Sequence, residues 1–479
     1  MLPDYKNHSE KIELIRSGKL SLKENVSFFL SRIEKEKKLN AFNFTFSDAE
    51  DAADLIEQKI KKGRAGRLAG MVIAIKDVLV IKNRPLTCSS NILKNFESVY
   101  TAISVQKLID EDAIIIGKTN CDEFAMGSSN ENSAFGAVLN PIDNSRVPGG
   151  SSGGSATAVA ANLCDASLGT DTGGSIRQPA AFCGIFGLKP TYGRVSRYGL
   201  TAYGSSFDTI GPFAKNIYDL ALILQVIAGN DKNDSTSSVQ LVPDFINEIK
   251  EKSKFKIGLP KEYFSEGLDP EIRKKISETC HKIKSSGHEI TEISLPHTEY
   301  SIPTYYILTT AEASSNLARY DGAHFGHRAK NAHSLNEMFV KSRSEGFGSE
   351  VKRRIMLGTY VLSAGYYDAY YRKAQKVRRL LKEDFDNAFK EVDLIITPTT
   401  PTVAFKIGEK SNDPLEMYLM DIYTTSANLA GIPGINIPVG NNSDGLPIGM
   451  QIMAKEFDEL SLLKFSFNNF KQVYFPILS

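Results

Sequence analysis

The sequence predicts an α/β protein built on one large mixed, mostly parallel sheet with helices on both faces. Short apolar runs rich in β-branched residues alternate along the chain with amphipathic helices, and this alternation is typical of such sheets. The chain has 479 residues, of which 42% are hydrophobic and 24% charged. This composition provides enough apolar surface for a large core and excludes an intrinsically disordered protein.

Capping residues and apolar periodicity predict the individual elements. Ser21 with Glu24 and Ser47 with Glu50 form capping boxes, and Asp269 with Pro270 starts a later helix. The predicted helices cover residues 22–38, 48–62, 101–111, 156–163, 216–228, 270–286 and most of 305–390. The predicted strands cover residues 70–77, 113–116, 166–170, 255–259, 288–295, 393–397 and 447–453.

We expect a single domain over residues 1–479, because large α/β enzymes reach this length around one sheet. Residues 230–238 are polar and predict a linker or a loop tip. Within the domain we distinguish four parts: N-terminal helices in 1–65, a core in 66–230, a mostly helical insertion in 298–390 and a return to the sheet in 391–479.

Charge, apolar runs and cysteine spacing exclude several classes of protein. Lys and Arg number 57 against 56 Asp and Glu, which excludes a global basic field for non-specific nucleic-acid binding. No apolar run reaches the roughly 18 residues of a membrane helix, and the charged N-terminus lacks the apolar segment of a signal peptide. The five cysteines are widely spaced and form no C-x-x-C pair. We therefore expect a cytoplasmic protein with reduced thiols and no membrane partner.

The densest chemical signal is a glycine–serine run at residues 147–156, followed by a second Gly-Gly-Ser turn ending at Ser175. Such a run taken alone is typical of a flexible linker. Here each turn precedes a predicted helix, and Ser175 with Gln178 forms a capping box. Backbone N–H groups converging at a helix start can form an oxyanion hole beside a serine nucleophile, so the pattern favours acyl transfer.

A serine nucleophile needs a base, and no histidine occurs between residues 9 and 280. Lys76 ends the apolar run 70–77 and is the better candidate. Burial would lower its pKa, because desolvation disfavours the charged form, and a neutral amine near pH 7 requires a pKa about 3 units below the usual value of about 10.4. The alternative is a strand-end lysine whose amine reaches solvent.

Three other motifs would indicate a different function, but none of them fits its required pattern. Residues 116–119 resemble the end of a phosphate-binding P-loop, but Asp112 stands where the required glycine belongs. Residues 149–153 match G-x-S-x-G without a preceding strand, so a nucleophile elbow is not indicated. The spacing of His324, His327 and His333 fits no zinc pattern, and we expect no metal site.

These motifs together resemble the amidase signature family. Its hallmark blocks correspond to residues 149–155 and 169–177, with Lys76 upstream in Ala-Ile-Lys-Asp. The resemblance extends over nearly the whole chain without departure in the core motifs. Residues 311–322 and 344–355 further resemble the branch that supplies ammonia in tRNA-dependent amidotransferases.

The resemblance implies specific roles for nine residues. Ser175 would be the nucleophile, Ser151 the proton relay after a cis Gly150–Ser151 peptide, and Lys76 the base. The expected oxyanion donors are the backbone N–H groups of Thr172, Gly173 and Gly174, and the residues expected to hold free glutamine are Tyr305, Arg354 and Asp421. A guanidinium suits the α-carboxylate and a carboxylate suits the α-ammonium. Arg354 alone also fits a solvated helix face, and Asp421 alone a helix surface.

The resemblance also implies the reaction and the partners. Glutamine would be hydrolysed to glutamate and ammonia, and the ammonia passed to a partner that activates tRNA-bound glutamate. The expected partners are the B and C subunits of the amidotransferase, with tRNA bound mainly by the B subunit. We expect no cofactor in this chain, with ATP and Mg²⁺ on the partner. The alternatives are a free-standing amidase acting on a small amide and a non-catalytic scaffold or RNA-binding subunit.

Overall fold

A single eleven-stranded sheet forms the centre of the molecule in our computed structural model, which describes residues 3–410 and 414–470. Its strands are β1 Phe42–Thr45, β2 Val72–Lys76, β3 Ile114–Thr119, β4 Ala166–Asp171, β5 Phe186–Lys189, β6 Thr209–Ala214, β7 Lys256–Pro260, β8 Glu289–Ile293, β9 Leu394–Pro398, β10 Gly434–Asn441 and β11 Pro447–Ala454. The strand order is β1-β3-β2-β4-β6-β5-β10-β11-β9-β7-β8. Strand β1 lies in a region that the sequence predicts as helical.

The sheet is mixed, as predicted, but parallel pairing does not predominate. Among the described strands, four pairings are parallel, namely β2–β3, β2–β4, β7–β8 and β7–β9, and six are antiparallel. The parallel pairs lie towards the two ends of the sheet. The centre runs antiparallel, and at β10 and β11 the short connection of residues 442–446 returns the chain directly.

Helices cover the sheet. They are α1 His8–Arg16, α2 Leu22–Lys35, α3 Ala49–Lys61, α4 Ile103–Asp110, α5 Gly153–Ala160, α6 Arg177–Cys183, α7 Ile217–Ile227, α8 Phe245–Glu248, α9 Pro270–Ser285, α10 Ser301–Asn316, α11 Leu335–Gly346, α12 Ser349–Leu362, α13 Lys373–Ala388, α14 Pro414–Leu419, α15 Thr425–Ala430 and α16 Glu459–Asn469. A π-helical turn, Asp368–Arg372, precedes α13. None of the helices in the described part combines the length and apolar character that a membrane crossing needs.

The alternating side chains of β2 show why its sequence is apolar throughout. Val72 and Ala74 join one core cluster with residues of α2 and α3, whereas Ile73 and Ile75 join another with residues of α4 and α7. Because the strand is buried on both faces, neither face carries the polar residues of a half-exposed strand. This double burial leaves Lys76, the last residue of β2, fully inside the protein.

Two predicted helix caps are confirmed and two are wrong. The Ser21 side chain accepts from the N–H of Glu24, and Asp269 caps α9. At α3 the N-cap residue is Asp48, one residue later than predicted. Helix α6 starts at Arg177 without a side-chain cap, because its N-cap residue is Ile176 and the N–H of Gln178 donates to the carbonyl of Gly174 at 2.8 Å instead of to Ser175. All five cysteines are buried and unpaired, as expected.

Candidate active site

Lys76 contacts three hydroxyl groups at the carboxyl end of β2. Its Nζ donates to Ser151 Oγ at 2.8 Å, to Ser152 Oγ at 2.9 Å and to Thr170 Oγ1 at 2.8 Å. The side chain is fully buried, so the alternative of a lysine reaching solvent is wrong. Burial lowers the pKa of Lys76 from 10.5 to about 8, against the opposing pull of Cys121 and Asp122.

The glycine–serine run is a buried, fixed loop and not a flexible linker. The Gly150–Ser151 peptide is cis, as predicted, and the loop leads directly into α5. Ser152 Oγ donates to the carbonyl of Thr170 at 3.0 Å and accepts from its N–H at 3.2 Å, which ties the loop to β4. Ser151 is therefore held beside Lys76 by the contacts of its neighbour Ser152 with the backbone of β4.

The carboxylate of Asp171 shapes the second serine turn, which follows β4. It accepts from the N–H of Gly174 at 2.8 Å, from that of Ile176 at 3.1 Å and from the guanidinium of Arg177. Burial alone would raise the pKa of Asp171, but Arg177 holds it at about 2, so the carboxylate stays ionised. Ser175 lies between these anchored positions.

The two serine turns are joined directly. The N–H of Ser152 donates to the carbonyl of Ser175 at 3.3 Å. Within the described residues the Ser175 hydroxyl has no hydrogen-bond partner, and its residue is 8% exposed. A hydroxyl in this position is free to meet a substrate.

Of the three backbone N–H groups predicted as oxyanion donors, two are available in the structure and one is not. The N–H of Gly174 is already donated to Asp171, which contradicts its expected availability for the oxyanion. The N–H groups of Thr172 and Gly173 have no hydrogen-bond acceptor in the described part of the chain. These two amides remain the candidates for an oxyanion hole.

Tyr305, on α10, covers this turn. Its hydroxyl donates to Thr172 Oγ1 at 3.3 Å, and a Cβ placed on Gly173 would lie 2.6 Å from the Tyr305 ring. Burial raises the pKa of Tyr305 well above 10, so the phenol keeps its proton. Position 173 therefore requires glycine for the close approach of the ring.

Arg354 lies in a cage of tyrosine rings on the buried side of α12. It is 3% exposed, whereas its neighbours Lys352 and Arg353 face solvent, so the alternative of a solvated helix face is wrong for Arg354. Its Nε donates to Glu350 at 2.8 Å and its Nη1 to the hydroxyl of Tyr203 at 2.7 Å. The rings around the guanidinium, at 5.3 to 5.6 Å, belong to Tyr203, Tyr306 and Tyr418.

Asp421 is a buried carboxylate with one unused oxygen. Ser128 donates its hydroxyl to Oδ2, while Oδ1 has no hydrogen-bond partner within the described residues. Burial raises the pKa of Asp421 to about 7, partly offset by Ser128 and by the positive charge of Arg354. The helix-surface alternative is wrong, because the residue is only 6% exposed. An unpaired buried oxygen of this kind suits a ligand cation.

Three polar residues to which the sequence assigned no role in the site connect these groups, although Gln178 was predicted as part of a helix cap. Gln178 donates to the carbonyl of Ser128 at 2.8 Å and accepts from the N–H of Gly150 at 2.9 Å. Thr424 donates to the carbonyl of Gly173 at 2.6 Å. Gln178 directly follows the 169–177 block that resembles the family hallmark. Nothing in the sequence around Ser128 or Thr424 indicates a role in the site.

The three histidines whose spacing fits no zinc pattern lie outside this site. His324 contacts Asp321 at 2.8 Å and His327 contacts Glu345 at 2.6 Å, on the protein surface, and His333 is exposed. Residues 3–410 and 414–470 contain no group of three His, Cys, Asp or Glu side chains arranged to hold a metal.

The assembled site combines two chemical functions. The first function is acyl transfer: the serine turns supply hydroxyl groups, and Lys76 supplies a buried amine, in contact with Ser151, whose pKa suits proton transfer. Arg354 and Asp421 add one buried cation and one carboxylate, a pair that matches the carboxylate and ammonium of a free amino acid.

Comparison with known proteins supports this interpretation. A family model described as Amidase matches residues 24–463. The chain is 62% identical over 399 residues, 83% of each chain, to the A subunit of the glutamyl-tRNA(Gln) amidotransferase of Koribacter versatilis. It is 55% identical over 457 residues to the protein of the same name from Acidobacterium capsulatum, covering 95% of this chain and 96% of the relative.

Solved structures give the same family. The A subunit of the glutamyl-tRNA(Gln) amidotransferase of Thermotoga maritima superposes with a TM-score of 0.78 at 40% identity, covering 95% of this chain and 92% of the other. The peptide amidase of Stenotrophomonas maltophilia superposes with a TM-score of 0.80 at 29% identity, covering 96% and 95%. The fold is therefore shared by a protein named as an amidotransferase subunit and one named as a peptide amidase.

Proposed function

Because the chain belongs to the amidase family, we propose that it is the glutaminase subunit of a glutamyl-tRNA(Gln) amidotransferase. The observation that carries the proposal is the pairing of two features in one buried site. A low-pKa lysine contacts Ser151, and Arg354 and Asp421 provide charges for a free amino acid. An amidase for uncharged amides has no need of the second feature.

Glutamine binding would use both charges. Arg354 grips the α-carboxylate through its guanidinium, while Glu350 and the surrounding tyrosines hold the guanidinium in place. The free Oδ1 of Asp421 accepts from the α-ammonium. Since the ammonium adds a positive charge beside Asp421, bound glutamine favours the ionised carboxylate. The side-chain amide is then left to reach Ser175.

Acylation begins when Ser175 Oγ attacks the amide carbon. Ser151 takes the Ser175 proton and passes its own to neutral Lys76, so the chain of hydroxyls ends on the amine that contacts Ser151. The C=O electrons move to oxygen, where the N–H groups of Thr172 and Gly173 stabilise the charge. The C–N bond then breaks as the proton returns through Ser151 to nitrogen, and ammonia leaves.

Deacylation uses the same groups for water. Water attacks the glutamyl ester on Ser175, and its proton follows the route through Ser151 to Lys76. The ester C–O bond breaks, Ser175 recovers the proton, and glutamate is released. Lys76 is neutral at the start and at the end, so each cycle consumes one glutamine and one water and yields glutamate and ammonia.

We propose that a partner subunit uses the ammonia. The relatives are named as subunits of an amidotransferase, which supports a multi-subunit assembly. We propose the B and C subunits as partners, with ATP, Mg²⁺ and most of the tRNA contact on the B subunit. Glutamine hydrolysis without an acceptor wastes glutamine, so we expect the partners to raise the activity. The cytoplasm, where aminoacyl-tRNA is used, is the proposed location.

The competing function is that of a free-standing amidase. The peptide amidase of Stenotrophomonas maltophilia has this fold at 29% identity, so the fold itself accommodates such a reaction. The buried charges of Arg354 and Asp421 distinguish the two functions, because a neutral amide offers no carboxylate to the guanidinium and leaves Oδ1 of Asp421 unpaired at a cost in binding.

The test is ammonia release by the chain alone and with co-purified B and C subunits. The substrates are glutamine and pentanamide, a neutral amide of the same chain length. We expect strong preference for glutamine and a rate that rises with the partners. Equal rates on both substrates by the isolated chain, unchanged by the partners, would show a free-standing amidase instead.

A further inference from the structure

The second half of α12 and the turn that follows it expose a cluster of apolar and aromatic side chains that the proposed reaction does not use. We name it the outer patch, and each member is at least 40% exposed. Its members are Met356, Leu357, Tyr360, Tyr366, Tyr367 and Tyr370. Single exposed apolar residues are ordinary on protein surfaces, whereas contiguous groups mark interaction sites.

The patch is organised by the turn that follows α12. Gly365 has a φ of +86°, which lets the chain reverse so that Tyr366 returns to Tyr360 with ring centroids 4.3 Å apart. The π-helical turn Asp368–Arg372 then places the ring centroid of Tyr370 6.1 Å from that of Tyr360. Three tyrosine rings are thus held together at the surface before any partner arrives, which lowers the ordering cost of binding.

The surroundings of the patch are positively charged. Residues 351–376 contain six Lys and Arg but a single acid, Asp368, and five of the six cations are exposed, since Arg354 is buried against Glu350. Arg353 and Arg372 are neutralised by acids on their own segments. Lys373 and Lys376 are exposed and have no ion-pair partner within the described residues. The apolar centre therefore has a basic rim.

We propose that the outer patch docks one of the partner subunits, through an apolar segment flanked by acidic side chains. This inference rests on the proposed function. Tyrosine, methionine and arginine are enriched in the buried centres of protein interfaces, and a basic rim steers an acidic partner. RNA fits less well, since aliphatic side chains lie in the patch, the rings already pack on one another and two of the cations are neutralised.

Docking here would act on the helix that holds glutamine. Helix α12 carries Met356 and Tyr360 of the outer patch on the side away from Arg354, and Leu357 follows Arg354 by three residues, less than one turn of helix. A partner bound to the outside fixes the position of the guanidinium inside. The geometry therefore provides a direct link between assembly and the KM for glutamine.

The test compares two carboxylate substitutions with a matched control. Met356→Glu/Tyr370→Glu changes the patch, whereas Leu241→Glu makes the same type of change at a loop position that is 92% exposed. Association with the co-purified B and C subunits is measured by analytical ultracentrifugation. We expect the double variant to bind at least about tenfold more weakly and the control to bind as the wild type does.

A second variant keeps the inference testable if the first fails to fold. Lys373→Glu/Lys376→Glu reverses the rim charge at exposed positions and should weaken association most at low salt. Binding equal to wild type by a folded patch variant overturns the inference, as does loss of tRNA binding with partner binding intact. Failure of the wild-type chain to bind either of the two partners overturns the proposed function itself.

Discussion

Lys76 Nζ lies 2.8 Å from Ser151 Oγ, and both residues are fully buried. The contact brings the end of a parallel strand, β2, to the cis peptide of a loop 75 residues later. Ser152 and Thr170 fill the other hydrogen-bond positions around the amine. Because no carboxylate in the described part of the chain contacts this amine directly, burial dominates and the pKa falls to about 8.

Replacing Lys76 by methionine should reduce glutamine hydrolysis by more than tenfold, because Ser151 then has no base for its proton. A loss below tenfold, or less than ~1.4 kcal/mol, would contradict the role of Lys76. The matched control is Lys215→Met. Lys215 is also largely buried with a pKa lowered to about 8, but it contacts Asn162 away from the site. Ser175→Ala should abolish hydrolysis in the same ammonia assay.

The turnover rate should depend on pH through Lys76. Its pKa is lowered, so the amine is charged below about pH 8 and cannot accept a proton. We expect kcat at saturating glutamine to rise about tenfold per pH unit below 8 and to level off above it. A rate that stays flat between pH 6 and 9 would exclude a lysine base with this pKa.

Arg354→Lys should raise the KM for glutamine by about tenfold or more, because lysine keeps the charge but loses the two-pronged grip on a carboxylate. Hydrolysis of pentanamide should change far less, since that substrate has no carboxylate. Arg353→Lys on the exposed side of the same helix serves as control. Equal losses on both substrates would indicate a structural role for Arg354.

Asp421→Asn tests the ammonium site with little change in shape, because the amide oxygen still accepts from Ser128. The raised pKa of about 7 means that the wild-type carboxyl becomes neutral as pH falls through 7. The KM for glutamine should therefore rise below pH 7 in the wild type. In the variant we expect a high KM that no longer changes over this range, as measured by initial rates from pH 6 to 9.

Gly154→Ala should destabilise the protein although alanine favours helices by about 1 kcal/mol. A Cβ at this position in α5 would lie 2.3 Å from the carbonyl oxygen of Asn120 and 2.6 Å from that of Ala41, and backbone atoms do not yield. We expect a loss of about 1 to 3 kcal/mol in urea unfolding. Gly267→Ala, where nothing lies within 4 Å, should be close to neutral.

Local patterns in the sequence predicted the elements that depend on neighbouring residues. The caps at Ser21 and Asp269 and the buried strand ending at Lys76 are confirmed, because their causes lie within a few residues. Two caps were wrong, and at one of them a distant group competed for the same side chain. Gln178, expected to form a capping box with Ser175, instead uses its side chain to contact Gly150 and Ser128.

What the sequence by itself determined is the chemistry available: two serine turns, one lysine at the end of a buried strand and the family to which these motifs belong. Tertiary structure alone decided how these groups are used. It buried Arg354 among tyrosines, engaged the N–H of Gly174 with Asp171, and brought Ser128 to Asp421 across 293 residues. The reason is physical, since turns and caps are fixed by near neighbours, whereas burial and its effect on pKa depend on elements that only the folded sheet brings together.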